Sequence, residues 1–275
     1  MKIHPVLLLA TLLAASLEPV LARFGYNLGV TPGQLLYCKS LVGGLLVMPS
    51  AYRFRPSIQA APAALLLLLT GACQLWAVQR LPAATVITLV STTPAFVSLI
   101  NQKLGREKPA ALFWVGLAAC LAGILLSLGQ PAGSSRLDPV GLFLVACVIL
   151  CSSLYRTQLE GFRDRLSCWR ICVTIFLLQG LVMAGLGSGG QSVPPNAYAI
   201  GAWLAVAGVA ANLTFVYAVQ ALGSTRMSIF NLLQRPLVIV AAAWLLGEAL
   251  TRWQWLGVVL VLVGVRVAQS NTGRR

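Results

Sequence analysis

The stretch LGEALTRWQWLGVVLVLVG (residues 246–264) joins two apolar runs through a short polar connection that contains Gly247 and Glu248. A similar join, LGREKPAALFWVGLAACLAG, occurs at residues 104–123. In each copy the second run carries two glycines seven residues apart, which share a helix face and allow a neighbouring helix to approach closely. Gly247 is expected to end one helix and Glu248 to begin the next. The two joins indicate that the chain contains two copies of one helical unit.

The composition is that of a membrane protein. Charged residues make up 9% of the chain and apolar residues 58%, with a mean hydropathy of +0.84, whereas a soluble domain carries roughly 25% charge. The net charge of +14 does not indicate nucleic acid binding, because the basic residues are scattered over short connections and form no basic face. Their better explanation is that they set the membrane topology.

The fold predicted from these patterns is an all-α integral membrane protein. A bilayer requires about 20 apolar residues for each helix, and the connections are too short for a soluble domain. The first segment imitates a secretory signal, but its removal would leave nine helices and an incomplete repeat. The ten predicted transmembrane helices span residues 5–24, 32–50, 59–78, 82–102, 110–129, 138–156, 167–186, 197–219, 225–246 and 253–270.

The halves of the chain form an internal repeat. Because each copy holds five helices, an odd number, the second copy enters the membrane in the opposite orientation. This predicts an inverted repeat of residues 1–130 and 137–271, a construction typical of transporters. The first two helices of each half match poorly. The anchors of the repeat, at offsets of 141 or 142 residues, pair 77–81 with 218–222, Pro94 with Pro236, 104–105 with 246–247, Gly116 with Gly257 and Gly123 with Gly264.

The distribution of basic residues predicts that both termini are cytoplasmic. With that orientation, the four outer basic residues are Arg23, Arg80, Arg136 and Arg252. The fourteen in cytoplasmic connections and termini are Lys2, Arg53, Arg55, Lys103, Arg106, Lys108, Arg156, Arg163, Arg165, Arg170, Arg226, Arg266, Arg274 and Arg275.

A mid-helix proline, then Leu-Gly-Glu, then a helix with two glycines seven residues apart, all present twice, resembles the drug/metabolite transporter superfamily. The closest resemblance is to its ten-helix EamA-type members. The first copy departs from the pattern, because it reads Leu-Gly-Arg-Glu at residues 104–107. The resemblance implies two EamA-like repeats in a bacterial inner (plasma) membrane, forming a carrier of small metabolites that is often an exporter. It implies no particular substrate.

Three ionisable side chains fall inside predicted segments, and such residues are functional candidates because charges in a bilayer are costly. Glu18 is either a proton-coupling carboxylate, with its pKa raised by burial, or the structural ion-pair partner of Lys39. A further alternative for Lys39 is that it extends to the outer interface. Arg235 lies in mid-helix and is expected to contact an anion, either Glu18 or the substrate.

Polar residues and prolines extend this set of candidates. Asn231 and Ser228 share a helix face with Arg235, and Pro236 frees the carbonyl of Leu232 because proline lacks an N–H donor. For the other polar and aromatic candidates, simple contact between helices is the alternative interpretation. The expected helix hinges are Pro19, Pro94 and Pro236, and the other expected cavity residues are Gln74, Trp76, Thr92, Thr93, Asn212 and Tyr217.

The sequence argues against an enzyme, because its single histidine and six scattered acids supply no catalytic cluster, and against an ATP-driven pump, because it has no Walker motif. Seven cysteines without a CxxC pair predict no metal site or disulfide, and no cofactor is expected. We predict a secondary active transporter, an exporter or exchanger, of a small polar and amino-acid-like metabolite. The alternative is a flippase for lipids or lipid-linked sugars. The expected partners are the substrate, the lipid bilayer and protons, with no nucleic acid, and the chain acts as a monomer or homodimer.

Overall fold

The computed structural model describes residues 21, 24–26, 28–81, 83–127, 138–187, 192–234, 236 and 252–270 of the 275-residue chain. Within these residues all regular secondary structure is helical. Most of the first predicted segment and half of the ninth lie outside them. The predicted functional or capping residues that fall outside the described residues are Glu18, Pro19, Arg235, Gly247 and Glu248.

The prediction of an all-helical membrane protein is confirmed. Seven of the ten predicted segments coincide with single helices to within five residues at each end. Among the described residues, four helical stretches are long and apolar enough to cross a membrane: Ile58–Arg80, Pro139–Gly161, Cys168–Leu186 and Pro195–Leu222. The described α-helices are α1 (Pro32–Ala51), α2 (Ala61–Arg80), α3 (Ala83–Val90), α4 (Thr93–Lys103), α5 (Ala111–Ser127), α6 (Pro139–Gly161), α7 (Cys168–Leu186), α8 (Pro195–Leu222), α9 (Ser224–Phe230) and α10 (Arg252–Ser270), with 3₁₀ turns at Ile58–Ala60 and Asn231–Leu233.

The ends of these helices follow from local hydrogen bonding. At the start of α1, the Thr31 hydroxyl accepts from the Gln34 backbone N–H at 3.3 Å, and the Gln34 side chain accepts from the Thr31 N–H at 2.9 Å, which is a capping box. At the end of α4, Gly105 adopts φ +68°, and the Arg106 and Gly105 N–H groups donate to the carbonyls of Asn101 and Gln102. This Schellman motif places a glycine where the Leu-Gly join predicts one.

The fourth predicted segment is not one continuous helix, because it breaks at Ser91 and Thr92 between α3 and α4. Pro94, which the sequence places in mid-helix, is the second residue of α4 and cannot donate to the carbonyl of Val90. The hydroxyl of Thr93 donates to that carbonyl instead, and the hydroxyl of Thr92 donates to the Leu89 carbonyl at 2.7 Å. These side chains therefore satisfy the backbone where the helix is interrupted.

The chain divides into two compact units, each of which takes segments from both halves of the sequence. Unit 1 comprises Met1–Leu75 and Gln158–Ala221, and unit 2 comprises Trp76–Thr157 and Leu222–Arg275. In unit 1, α1 and α7 cross where Gly44 meets Gly180: a Cβ atom placed on Gly44 would lie 3.2 Å from the Gly180 Cα. The two small residues allow the backbones to touch.

In unit 2, α5 and α10 pack through the glycines of the repeated join. A Cβ atom on Gly116 would lie 2.6 Å from the Gly264 carbonyl oxygen, and one on Gly123 would lie 2.7 Å from the Gly257 carbonyl oxygen. Between these two contacts, the Cys120 thiol donates to a backbone carbonyl of α10 at 3.6 Å. We call this glycine-lined contact between α5 and α10 the seam. Phe113 and Ile124 are buried in the apolar cluster around it.

Candidate functional site

A small polar cavity of about 60 Å³ lies inside unit 2. It is formed where the interruption between α3 and α4 meets α6 and the end of α9. Among the described residues that line it, only Arg156 is charged, and the other polar groups are hydroxyls and amides. The lining residues are Val90, Ser91, Thr93, Pro94, Arg156, Ser228, Asn231, Leu232 and Gln234. We call this space the Arg156 cavity.

The Arg156 cavity reaches the middle of the segment formed by α3 and α4. Thr93 is ten residues from Ala83 at one end of that segment and ten from Lys103 at the other, or about 15 Å each way at 1.5 Å per helical residue. A bilayer core is about 30 Å thick. A helical segment of this length is about as long as the bilayer core is thick, and the interruption lies at its midpoint.

Arg156 is the charged residue of this cavity. The predicted sixth segment ends at Arg156, whereas α6 continues five residues further, to Gly161. The Nη1 atom of Arg156 donates to the Ser228 hydroxyl at 3.1 Å. The signal that would have found this extension is the spacing of buried side chains on both sides of Arg156, at Ser152, Tyr155 and Leu159, which follows a helical period.

Two predicted candidates from the ninth segment do reach this cavity. Ser228 is buried, and its hydroxyl donates to the Ser224 carbonyl at 2.7 Å while it accepts from Arg156. Asn231 follows one turn later, where α9 passes into a 3₁₀ turn. Pro236 is buried just beyond that turn. The structure thus brings Ser228 and Asn231 together with Pro94 from the first half of the chain.

Lys39 lies in unit 1, on α1, in a groove provided by a glycine. A Cβ atom on Gly208 would lie 3.4 Å from the Lys39 Cε, so the lysine stem passes across α8 at the midpoint of that helix. Asn212, one turn further along α8, is buried, and its Oδ1 accepts from the Cys172 thiol at 3.3 Å. Lys39 and Asn212 therefore share one region of unit 1.

The remaining sequence candidates lie outside the Arg156 cavity. Gln74 and Trp76 are exposed on α2, and Tyr217 is half-buried on α8. Thr92 is half-buried next to the cavity, but its hydroxyl is engaged with the Leu89 carbonyl. Their assignments as cavity residues stay predictions.

Sequence reasoning missed a buried polar cluster between the end of α4 and the start of α9. The Asn101 side-chain amide donates to the hydroxyls of Ser224 and Thr225 at 2.8 and 3.0 Å, and all three residues are buried. Nearby in the chain, Arg106 donates to the Thr157 carbonyl at 2.8 Å. Both contacts lie at the end of unit 2 that the charge distribution assigns to the cytoplasm.

An ion pair joins the end of α2 to the start of α6. Arg80, the last residue of α2, approaches Asp138, which precedes α6, with 3.1 Å between Nη1 and Oδ2. The hydrogen bond from Arg80 and a second one from the Val140 backbone N–H lower the pKa of the Asp138 carboxyl below its usual value. The pair is exposed to solvent, so we expect it to be weak and sensitive to salt.

Comparison with known families decides what kind of protein this helical architecture belongs to. The sequence profile of the EamA-like transporter family matches residues 3–129 and again 139–268. The chain is a member of the EamA-like transporter family. It is therefore a multi-pass membrane transporter of the drug/metabolite type.

A solved structure supports the same fold for this EamA-like transporter. A protein described only as "Crystal structure of protein" superposes with a TM-score of 0.78 over 97% of each chain, at 14% sequence identity. At that identity the likeness concerns the fold alone. No curated protein sequence matches the chain. Among the described residues, no group of three or more His, Cys, Asp or Glu side chains could hold a metal ion.

Proposed function

We propose that this EamA-like transporter is a secondary active carrier that moves a small polar metabolite across the bacterial inner membrane by alternating access, as an exporter or exchanger. The observation that carries the proposal is the interruption between α3 and α4, which lies midway along that segment and opens onto the polar Arg156 cavity. Transporters commonly place substrate sites at broken helices near the midplane. A purely structural membrane protein has no need for an interrupted helix beside an arginine.

The contacts of the seam support an inverted repeat. At the offset of 141 residues, Gly116 corresponds to Gly257 and Gly123 to Gly264, yet in space Gly116 meets Gly264 and Gly123 meets Gly257. Reciprocal contacts of this kind are what a two-fold axis produces. Because residue numbers rise along α5 as they fall along α10, the helices are antiparallel and the axis runs across them. An axis across membrane helices lies in the membrane plane, as an inverted repeat requires.

Contacts between the ends of helices support the predicted alternation of helix directions across the membrane. Arg80 and Asp138 belong to an end of α2 and an end of α6 that the predicted topology places outside. Arg106 and Thr157 belong to ends of α4 and α6 that it places inside. Each of these two contacts in unit 2 therefore joins helix ends that the predicted topology assigns to the same side of the membrane. Together with the excess of basic residues on that inner side, this supports cytoplasmic termini.

We assign coupling to protons to Glu18, which lies outside the described residues, and an internal role to Lys39. The position of the Lys39 stem at the midpoint of α8 supports an internal role over extension to the outer interface, since a lysine reaching the interface would leave along the helix end. A carboxyl inside a membrane segment is a candidate for proton exchange, because a charge at that place is costly. A structural Glu18–Lys39 ion pair is the competing assignment, and the two differ in whether transport follows a proton gradient.

The experiment is metabolite flux from proteoliposomes containing the full chain, with and without a proton gradient, using a labelled pool of amino acids and related metabolites. We expect the gradient to accelerate one compound class, and Glu18→Gln to abolish the acceleration while gradient-free exchange continues. Asp164→Asn is the matched control: Asp164 is exposed after α6 at φ +67°, which asparagine tolerates. Flux that Glu18→Gln leaves unchanged would assign Glu18 to the ion pair. Movement of labelled lipid between leaflets without metabolite flux would replace the carrier by a flippase.

A further inference from the structure

We propose that the end of unit 1 where α1 meets α7 binds the headgroups of anionic phospholipids, and that Arg53, Arg55 and Arg170 contact the lipid phosphate. We call these three arginines the basic patch. The basic patch belongs to unit 1, whereas the Arg156 cavity belongs to unit 2. Binding of lipid at the patch does not depend on what the protein transports.

The basic patch lies at the level where membrane-crossing helices begin. The apolar stretches Ile58–Arg80 and Cys168–Leu186 both start beside it. Tyr52, just after α1, and Trp169, in the first turn of α7, are exposed there. Tryptophan and tyrosine side chains favour the headgroup level of a bilayer. The patch is therefore placed where a lipid phosphate is found, and the predicted topology assigns this end of unit 1 to the cytoplasmic side.

Two hydrogen bonds hold the connection after α1 against α7. The Nε atom of Arg170 donates to the backbone carbonyl of Arg55 at 2.9 Å. The backbone N–H of Ser57 donates to the hydroxyl of Thr174 at 2.9 Å, and both of these residues are buried. The two bonds bring arginines that are 115 residues apart in the sequence to one place in the fold.

An aromatic stack joins the same two segments. The rings of Phe54 and Trp169 lie with their centroids 5.6 Å apart and their planes within 12° of parallel. The guanidinium carbon of Arg53 lies 5.8 Å from the centroid of the Phe54 ring, a cation–π contact. The third arginine of the patch is therefore held next to the tryptophan that marks the headgroup level.

The fold leaves guanidinium donors of the basic patch open to a ligand. Arg170 donates through Nε, and among the described residues no other hydrogen bond or ion pair engages the three guanidinium groups. All three side chains are exposed. Residues 52–58 and 163–170 contain five arginines and a single acidic residue, Asp164. Because a guanidinium matches a phosphate with two parallel N–H donors, this surface favours a phosphate group.

A phospholipid suits this surface better than a dissolved phosphate. Water and salt screen exposed arginines, so their attraction for a free ion is weak. The bilayer, in contrast, holds lipid phosphates at the level of the patch, and the glycerol and acyl region of a lipid can contact the exposed side chains of Trp169 and Ile58. Basic residues next to membrane-crossing helices attract anionic lipids in this way.

The test compares two phospholipids that have the same acyl chains but differ in headgroup charge. The purified full chain in detergent is titrated with phosphatidylglycerol or phosphatidylcholine, and binding is measured by native mass spectrometry and by the unfolding temperature. Glycerol 3-phosphate supplies the phosphate without the acyl chains. The variants are Arg53→Gln, Arg55→Gln, Arg170→Gln and the triple variant. Arg252→Gln is the matched control, because Arg252 is exposed beside the exposed Trp253 at the start of α10.

We expect the wild type and Arg252→Gln to bind phosphatidylglycerol about tenfold or more tightly than phosphatidylcholine. Each single substitution in the basic patch should weaken phosphatidylglycerol binding by about fivefold at low salt, and the triple variant should lose the preference. Arg53→Gln and Arg55→Gln remove no hydrogen bond of the described structure, so they decide the test even if the triple variant does not fold.

Three results would overturn the proposal. The first is equal binding of the two phospholipids by the wild type. The second is an equal loss in Arg252→Gln and in the variants of the basic patch, which would assign the preference to the overall charge of the protein. The third is stabilisation by glycerol 3-phosphate that equals stabilisation by phosphatidylglycerol, which would assign the patch to a soluble phosphate compound.

Discussion

The side-chain amide of Asn101 donates to the Ser224 hydroxyl at 2.8 Å, across 123 residues of sequence, and both residues are fully buried. The same amide donates to Thr225. The contact fixes the end of α4 to the start of α9, one helix on each side of the Arg156 cavity. Asn101→Ala removes both hydrogen bonds and leaves buried hydroxyls without this donor, so we expect a loss of about 1–3 kcal/mol in the free energy of unfolding.

The measurement for this cluster is thermal or denaturant unfolding in detergent. Gln102→Ala, one residue away and exposed, is the control and is expected to change little. Ser224→Ala and the double variant complete a mutant cycle, in which the losses should be strongly non-additive. Simple additivity would contradict a direct contribution of the Asn101–Ser224 hydrogen bond.

The seam tolerates no side chain at Gly264. A Cβ atom there would lie 2.7 Å from both the Cys120 sulphur and the Gly116 carbonyl oxygen, and a backbone atom cannot move aside alone. We expect Gly264→Ala to lower the free energy of unfolding by about 1–3 kcal/mol through overpacking. Gly185→Ala on α7, where a Cβ would meet nothing within 4 Å, should be neutral or slightly stabilising. Equal effects of the two alanines would show that the helices separate easily.

The interruption before α4 predicts an effect on transport without a loss of stability. Pro94→Ala restores an N–H that can donate to the Val90 carbonyl, so α3 and α4 should join into a straighter helix. We expect slower transport in proteoliposomes with an unchanged or raised unfolding temperature. Pro195→Ala is the control, because Pro195 is the first residue of α8, where no intrahelical donor is needed. Full transport by Pro94→Ala would show that the interruption is not required.

The Arg80–Asp138 pair predicts a dependence on acid pH. The pKa of the Asp138 carboxyl is lowered in the folded state, first by the hydrogen bond from Arg80 and then by that from the Val140 N–H. A lowered pKa contributes stability that is complete above the unfolded value, 3.8, and is lost as the pH falls through the folded value.

We therefore expect Asp138→Asn to reduce stability near neutral pH and to flatten its decline below about pH 4. The measurement is unfolding temperature against pH at low salt, with Asp164→Asn as an exposed control. Because the pair is exposed, added salt should diminish the difference between wild type and variant. If the unfolding temperature of Asp138→Asn falls with pH as steeply as that of the wild type, other acidic residues cause the decline.

The helix positions could be predicted from the sequence, because an apolar segment in lipid must pair its backbone groups internally and a helix does so within one segment. The apolar runs predicted the ends of α2, α7 and α8 to within three residues. The Leu-Gly join likewise predicted the glycine cap now seen at Gly105. These features depend on local chemistry, which a single stretch of sequence carries in full.

The polar interior was harder to predict. A charged residue in the sequence suggests the end of a segment, so the sixth predicted segment ends at Arg156, although α6 and its buried face continue past it to Leu159. Pro94 predicts a bend in one helix, and the structure interrupts the helix at Ser91 and Thr92, where the hydroxyls of Thr92 and Thr93 donate to backbone carbonyls. Asn101 offered no local signal at all. Each of these outcomes depends on which distant helix supplies the partner, and periodicity within one segment does not contain that information.

The seam makes the glycines of one half of the chain depend on those of the other half. A bulkier residue at Gly116 collides with α10 at Gly264, which is the counterpart of Gly123, so a change in either half is felt by the other. Gly123 and Gly257 are tied in the same way. The sequences of the two halves match at these four glycines, whereas the first two helices of each half match poorly. A larger residue at any of the four glycines would therefore require a compensating change in the helix that it contacts.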